Sequence, residues 1–141
     1  MITINPYLNF AGNTEEAFNF YKSVFGGDFL FVQRFKDSPG EAGKVSEDDA
    51  DKLMHISLPV GNNILMATDA LESMGHKLKP GNNFQLSIDT DSNEQADELF
   101  KKLSDGGTVF MPMADAFWGA YFGMLTDKFG IQWMVSHTPK Q

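Results

Sequence analysis

His55 is the side chain in this sequence best fitted to carry a proton. An imidazole with an ordinary pKa of about 6.5 serves as acid or base near neutrality. It lies in the run Leu53-Met-His-Ile-Ser-Leu-Pro59. Read as a strand, that run turns His55 and Ser57 to one face and Met54, Ile56 and Leu58 to the other. The alternative is a partly buried histidine whose ring nitrogens are satisfied by neighbours. His76 falls in a polar loop and His137 near the chain's end, so neither carries a functional expectation. A second candidate is aromatic. Phe117, Trp118 and Tyr121 surround Gly119 just before a strand. Such a wall stacks on a planar or apolar ligand, or else packs a core or a dimer contact. Met54, Met66, Met111, Met113, Met124 and Met134 read mainly as core filler, the usual work of a flexible thioether. The acidic run Glu47–Asp51 lacks the spaced ligands and glycine of a calcium loop and reads as solvated. Asp115 and Asp127 stand near turns, where single carboxylates are structural or solvated. No G-x-S-x-G, P-loop, H-E-x-x-H or G-x-G-x-x-G is present, which removes the common nucleophile, zinc-protease and nucleotide-loop chemistries.

Composition bounds the partners. The chain has 141 residues, 42% hydrophobic and 13% aromatic, which is enough for a core without staples. Eleven basic residues against 19 acidic ones give a net charge of −8. That excess argues against nucleic acid or an anionic membrane as partner. The absence of cysteine excludes disulfides, thiolate zinc sites and cysteine nucleophiles. No apolar run reaches the roughly 18 residues of a membrane helix. The start, Met1-Ile-Thr-Ile-Asn-Pro, has no basic region followed by an apolar stretch. A soluble, cytoplasmic protein is therefore expected.

The elements that must position these residues repeat. Ile2–Phe10 alternates as a strand, with Ile4 and Leu8 on one face and Tyr7 and Asn9 on the other. Asn13 caps a helix with Glu16 at capping-box spacing, and Ala17, Phe20, Tyr21 and Val24 form its apolar stripe. Gly26-Gly27 ends it. Asp28–Phe35 reads as a strand buried on both sides, and residues 36–52 as a long exposed loop. Leu53–Pro59 and Asn63–Ala67 make a hairpin around Gly61-Asn62. The pattern then returns: a strand at Asn83–Asp89, a helix capped by Ser92 with stripe Ala96, Leu99, Phe100 and Leu103, the pair Gly106-Gly107, and strands at Thr108–Met113, Tyr121–Leu125 and Ile131–Ser136. Asn13 and Ser92, and likewise Ala17 and Ala96, are 79 residues apart. The chain thus reads β-α-β-β-β twice. One helix per module covers one sheet face, formed by Ile4, Leu8, Leu86, Ile88, Ile131, Trp133 and Val135. The other face holds Tyr7, Asn9, Gln85, Ser87, Gln132 and Met134, a polar and apolar mixture suited to a ligand cleft.

A duplicated β-α-β-β-β module, with Pro6-Tyr-Leu-Asn-Phe10, Glu16-Ala-Phe-Asn-Phe-Tyr21, Val24-Phe-Gly-Gly27, His55 on its strand, Leu65-Met-Ala-Thr-Asp69, Phe117-Trp-Gly119 and Asp127-Lys-Phe-Gly130, resembles the vicinal oxygen chelate superfamily. That group includes glyoxalase I, extradiol dioxygenases and bleomycin-resistance proteins. Within it the chain is similar to the PhnB-like branch, often labelled a 3-demethylubiquinone methyltransferase domain. The resemblance implies an α+β fold, two βαβββ modules (about 1–70 and 82–137) in a single domain spanning residues 1–141, with a curved sheet around a cleft. No glycine-rich loop follows the first strand, so no S-adenosylmethionine site is expected. Metal-dependent members take one ligand from the first and one from the last strand of each module. Those positions fall near Tyr7, with Pro6 as the other register, on Gln85, and on Met66 and Met134. Only Gln85 suits a hard divalent ion. The resemblance therefore implies a small-molecule binding protein without the usual metal centre or a cofactor. Its ligand contacts would be Tyr7, Asn9, Met66, Gln85, Trp118, Tyr121 and Met134, with His55 the catalytic candidate. The alternative is a metal-dependent lyase, isomerase or dioxygenase of the glyoxalase type using His55 and Gln85. A homodimer is the assembly the resemblance implies.

Overall fold

The computed structural model describes residues Met1–Pro139. They form two compact units, one from Met1 to Lys79 and one beginning at Pro80. The first contains β1 (Tyr7–Phe10), α1 (Thr14–Phe25), β2 (Phe31–Arg34), β3 (Leu53–Val60) and β4 (Asn63–Asp69). The second contains β5 (Leu86–Asp89), α2 (Asn93–Ser104), β6 (Thr108–Asp115), β7 (Tyr121–Thr126) and β8 (Gln132–His137). Each unit is the expected βαβββ module. The sheets have strand orders β1-β4-β3-β2 and β5-β8-β7-β6. In both, the first strand runs parallel to the last and the other pairs are antiparallel. The βα crossover forces this, because a helix must carry the chain back over the sheet before its next strand.

Each helix buries its stripe on one sheet face. Thr14, Ala17, Phe18, Tyr21 and Val24 of α1 are buried, and beneath them lie Leu8, Ile56, Leu58, Leu65 and Ala67. Phe18 takes the place expected of Phe20. In the second unit Ala96, Phe100 and Leu103 of α2 are buried with Leu125, Trp133 and Val135. Here Gly123 lets α2 approach β7: a Cβ on it would lie 2.8 Å from the Phe100 ring. Gly61, at φ 57°, closes the two-residue hairpin between Val60 and Asn63 as read from the sequence.

Four local readings are corrected. The first strand begins at Tyr7, and Ile2 and Ile4 are exposed. Ahead of it the Asn5 side chain accepts the Ile64 N–H (3.0 Å) that a longer ladder would use. Asn13 makes no side-chain cap. The Asp69 carboxylate, at the end of β4, supplies it instead, accepting from Gly12 N, Thr14 N and Thr14 Oγ1 at 3.1, 3.0 and 2.6 Å. β2 is an edge strand with Leu30, Phe31 and Val32 exposed rather than buried on both sides. A continuous apolar run looks the same in the middle of a sheet and at its rim. Residues 36–52 are largely exposed, as expected, with 3-10 turns at Phe35–Asp37 and Gly40–Gly43, but the acidic run is not wholly solvated. Asp49 is buried there and receives Lys52 Nζ at 2.8 Å and Ser73 Oγ at 3.0 Å. Among the described residues no helix is long and apolar enough to cross a membrane.

Candidate ligand site

The face of the first sheet away from α1 carries two cross-strand rows. Register places Tyr7, Met66, Ser57 and Phe31 in one row. Asn9 opposite Thr68, and His55 opposite Gln33, form the next. Cross-strand partners on one face are near neighbours, so these eight side chains share one surface. Tyr7, Asn9, His55 and Met66 are thus brought together as the sequence implied. Tyr7 Oη lies 3.2 Å from His55 Nδ1. The two rings are 5.6 Å apart, and the Phe31 ring stands 5.7 Å from His55 on another side. Burial pushes the Tyr7 phenol above its usual range, with the Thr68 hydroxyl opposing in part. The phenol therefore keeps its proton near neutrality, and its hydroxyl shares one hydrogen bond with His55 Nδ1. The Gln33 amide on that surface is already engaged, donating to Asp37 O at 2.7 Å.

The matching face of the second sheet carries Ser87, Met134 and Met124 in one row and Asp89, Ser136 and Phe122 in the next. The register corrects one assignment. Tyr7 faces Met66, and the residue facing Met134 is Ser87. The first-strand position equivalent to Tyr7 is therefore Ser87, not Gln85. Gln85 lies two residues earlier, on the same face but ahead of β5, and its Nε2 reaches Met124 Sδ at 3.1 Å. Trp118, 59% exposed, stands edge-on to Phe117 at 5.0 Å and beside Phe122 at 5.1 Å. It rims this same face. Tyr121 does not join it. Strand alternation turns Tyr121 to the helix side, where it donates to Asp97 Oδ1 at 2.5 Å. That bond to a carboxylate, with burial second, raises its pKa.

The donors at the four family metal positions are a phenol (Tyr7), a hydroxyl (Ser87) and two thioethers (Met66, Met134). This set does not fit a hard divalent ion, which needs carboxylate or imidazole ligands. Among the described residues no three His, Asp or Glu side chains converge elsewhere. Asp127 is buried and structural: Oδ1 accepts Phe129 N and Ile131 N, and Oδ2 accepts Trp133 Nε1 at 2.8 Å. His137 Nδ1 is taken by Thr90 O at 2.8 Å. Three residues of the first face, Thr68, Phe31 and Gln33, were not named from sequence. Thr68 follows Met66 by two, and that period would have placed it there. Phe31 reaches His55 only through β2–β3 pairing, which no local signal specifies.

These features have counterparts in known proteins. A family model described as 3-demethylubiquinone-9 3-methyltransferase matches residues 2–136. The chain is 30% identical over 149 residues to Protein YjdN of Escherichia coli (strain K12), covering 98% of this chain and 97% of that one. Protein PA1353 from Pseudomonas aeruginosa superposes with TM-score 0.88 at 38% identity, covering 99% and 100% of the two chains. A putative 3-demethylubiquinone-9 3-methyltransferase, PhnB protein, from Bacillus cereus gives 0.76 at 25% identity, over 97% and 100%. A glyoxalase/bleomycin resistance protein/dioxygenase family enzyme from Burkholderia phytofirmans PsJN shares the fold, with TM-score 0.63 at 19% identity over 94% and 97%. The paired βαβββ modules, the first-to-last strand pairing and a match over nearly the whole chain together place this protein in the PhnB-like, 3-demethylubiquinone-9 3-methyltransferase family.

Proposed function

We propose that the protein binds a small, planar, neutral or cationic organic molecule on its open sheet faces, without the divalent metal centre of its superfamily. The observation that carries this reading is the Tyr7–His55 pair, 3.2 Å apart, set beside Met66 where a metal ligand would stand. The surface offers a flat aromatic flank in Phe31, a polar imidazole edge at His55 and an apolar floor at Met66. Asn9 extends that face, and Met134, Gln85 and Trp118 form the corresponding surface of the second unit. A pocket of this kind is apolar with a few placed polar groups. The net charge of −8 disfavours anionic ligands. The methyltransferase description finds no support in the β1–α1 connection. It is Ala11-Gly12-Asn13, and the Gly12 and Thr14 N–H groups there already bond the Asp69 carboxylate, an arrangement unsuited to an anionic ligand. The test is a thermal-shift and calorimetric screen of planar heteroaromatics, paired with metal analysis of untagged protein never exposed to chelator. Saturable binding lost in His55→Ala, with no stoichiometric divalent metal, supports the reading. A stoichiometric divalent transition metal overturns it.

The Tyr7–His55 bond favours a second reading, a glyoxalase-type lyase, isomerase or dioxygenase. A positioned phenol–imidazole pair is equipped for acid–base work, and Gln85 is the residue such an enzyme would recruit in the second unit. Turnover abolished by His55→Ala while ligand binding persists would select it. We also propose that the chain is a cytoplasmic homodimer. The support is a repeated apolar surface: Leu30, Phe31 and Val32 on one edge, and Val109, Phe110 and Met111 at the positions 79 residues on, are all exposed.

A further inference from the structure

Thr14, Ser38, Asp49, Asp69, Thr90 and Asp127 are buried polar side chains, and each is hydrogen-bonded. Ser57 is the exception. It is only 4% exposed, yet its hydroxyl has no hydrogen-bond partner among the described residues. The oxygen is not sealed inside the protein either. Burying a hydroxyl without a partner is unfavourable, and native structures rarely do so. Register gives the direction of this one. Ser57 is partnered by Met66 on β4 and by Phe31 on β2, and Tyr7 stands beyond Met66 on β1. Its neighbours along β3, Ile56 and Leu58, are buried beneath α1, so Ser57 points to the opposite, open face. Across the sheet the row reads aromatic, thioether, hydroxyl, aromatic. The two aromatics lie on the two edge strands, with Tyr7 46% and Phe31 49% exposed. Both rings stand against His55, at 5.6 and 5.7 Å. Ser57, the shortest side chain of the row, forms a dip between Phe31 and Met66, with its oxygen at the bottom.

We infer that Ser57 is the specificity-determining floor of a subsite for a planar cation with N–H donors, of the amidinium or aminopyridinium class, flanked by the Tyr7 and Phe31 rings. The inference rests on the ligand reading proposed above and names what that surface recognises. A serine oxygen has two lone pairs and accepts from an N–H group. A bond from a charged donor is stronger than one from a neutral donor. The faces of phenol and phenyl rings attract a cation. No lysine or arginine shares the two rows of this face to oppose it. Arg34, which follows Gln33 on β2, is held by Glu15 of α1 through both guanidinium nitrogens, at 3.1 and 2.7 Å. The net charge of −8 adds a field of the right sign.

The test uses the intact chain and two probes of nearly the same shape, cationic benzamidinium and neutral benzamide. Each is titrated by calorimetry and by the ring resonances of His55, at about pH 8, where an ordinary imidazole is neutral. Benzamidinium is expected to bind about tenfold or more tightly than benzamide. Ser57→Ala is expected to weaken benzamidinium about tenfold and benzamide by less. The same variant should leave the unfolding midpoint unchanged or raised, because it removes a hydroxyl that bonds nothing in the protein. Phe31→Leu should weaken benzamidinium severalfold. Equal binding of the two probes, or a Ser57→Ala variant that binds benzamidinium as the parent does, overturns the subsite. A clearly lowered midpoint in Ser57→Ala gives the hydroxyl a structural role and also overturns it. If benzamide still shifts His55 in those cases, the broader ligand reading stands. If neither probe shifts His55, both fall.

Discussion

The Tyr7 hydroxyl reaches His55 Nδ1 by crossing over an entire strand. Tyr7 is on β1 and His55 on β3, with β4 between them. The bond runs diagonally over the Met66–Thr68 stretch of β4 and fixes the imidazole against the sheet. Tyr7→Phe keeps the ring and removes the bond. The expected result is a stability loss of no more than about 1.5 kcal/mol with a severalfold weaker ligand affinity. Nitrogen NMR of His55 should show a different tautomer balance in the parent and in the variant. An unchanged balance would mean that the phenol does not orient the ring.

Asp69 is predicted to be the polar residue on which the first unit most depends. Oδ1 bonds Gly12 N, Thr14 N and Thr14 Oγ1, and Oδ2 accepts Leu53 N at 2.8 Å. Asp69→Ala leaves several buried donors unpaired and removes the cap of α1. The expected loss is about 2–4 kcal/mol by denaturant unfolding. Asn13→Ala, which removes no cap bond, should cost much less. Equal losses in the two variants would contradict the assignment of the cap.

The alkaline limb of stability should report the two tyrosines. Tyr7 is raised chiefly by burial and Tyr121 chiefly by its bond to Asp97. A phenol raised in the folded state binds its proton more tightly there than in the unfolded chain. Its contribution is complete below the ordinary value of about 10 and is lost as pH rises through the folded values. Asp97→Asn should move the onset of alkaline unfolding. On the acid side, Glu15 is lowered by its bond to Arg34, so its contribution fades as pH falls below 4.5. Exposure and salt screening keep that term small.

Trp118 and Trp133 should be separable by fluorescence. Trp118 is open to solvent, whereas Trp133 is buried and donates to Asp127. Acrylamide is expected to quench Trp118 alone in the folded state. Trp118→Ala should leave the unfolding midpoint nearly unchanged and lower ligand affinity. Trp133→Phe removes its hydrogen bond to the buried Asp127 carboxylate and should destabilise by about 1–3 kcal/mol.

Light scattering tests the assembly. The double variant Leu30→Asp, Phe110→Asp puts a charge on each exposed apolar edge. A dimeric parent and a monomeric variant at micromolar concentration are expected. A monomeric parent would contradict the homodimer.

The sequence by itself determined the module and its repetition. Helix stripes, glycine breaks and the Gly61-Asn62 turn are local signals, and they placed both helices and the β3–β4 hairpin within a residue or two. Alternation alone also put Tyr7, Asn9, His55 and Met134 on the face away from the helices, because side-chain direction along a strand has a period of two. Tertiary structure decided what depends on which strands become neighbours. Local periodicity could not reveal that β2 lies at an edge, so its apolar run was read as buried. It could not say that Asp69, 55 residues from Thr14, caps α1. Nor could it set the register that makes Ser87, rather than Gln85, the counterpart of Tyr7, since a two-residue slip preserves the face and leaves no trace in the pattern.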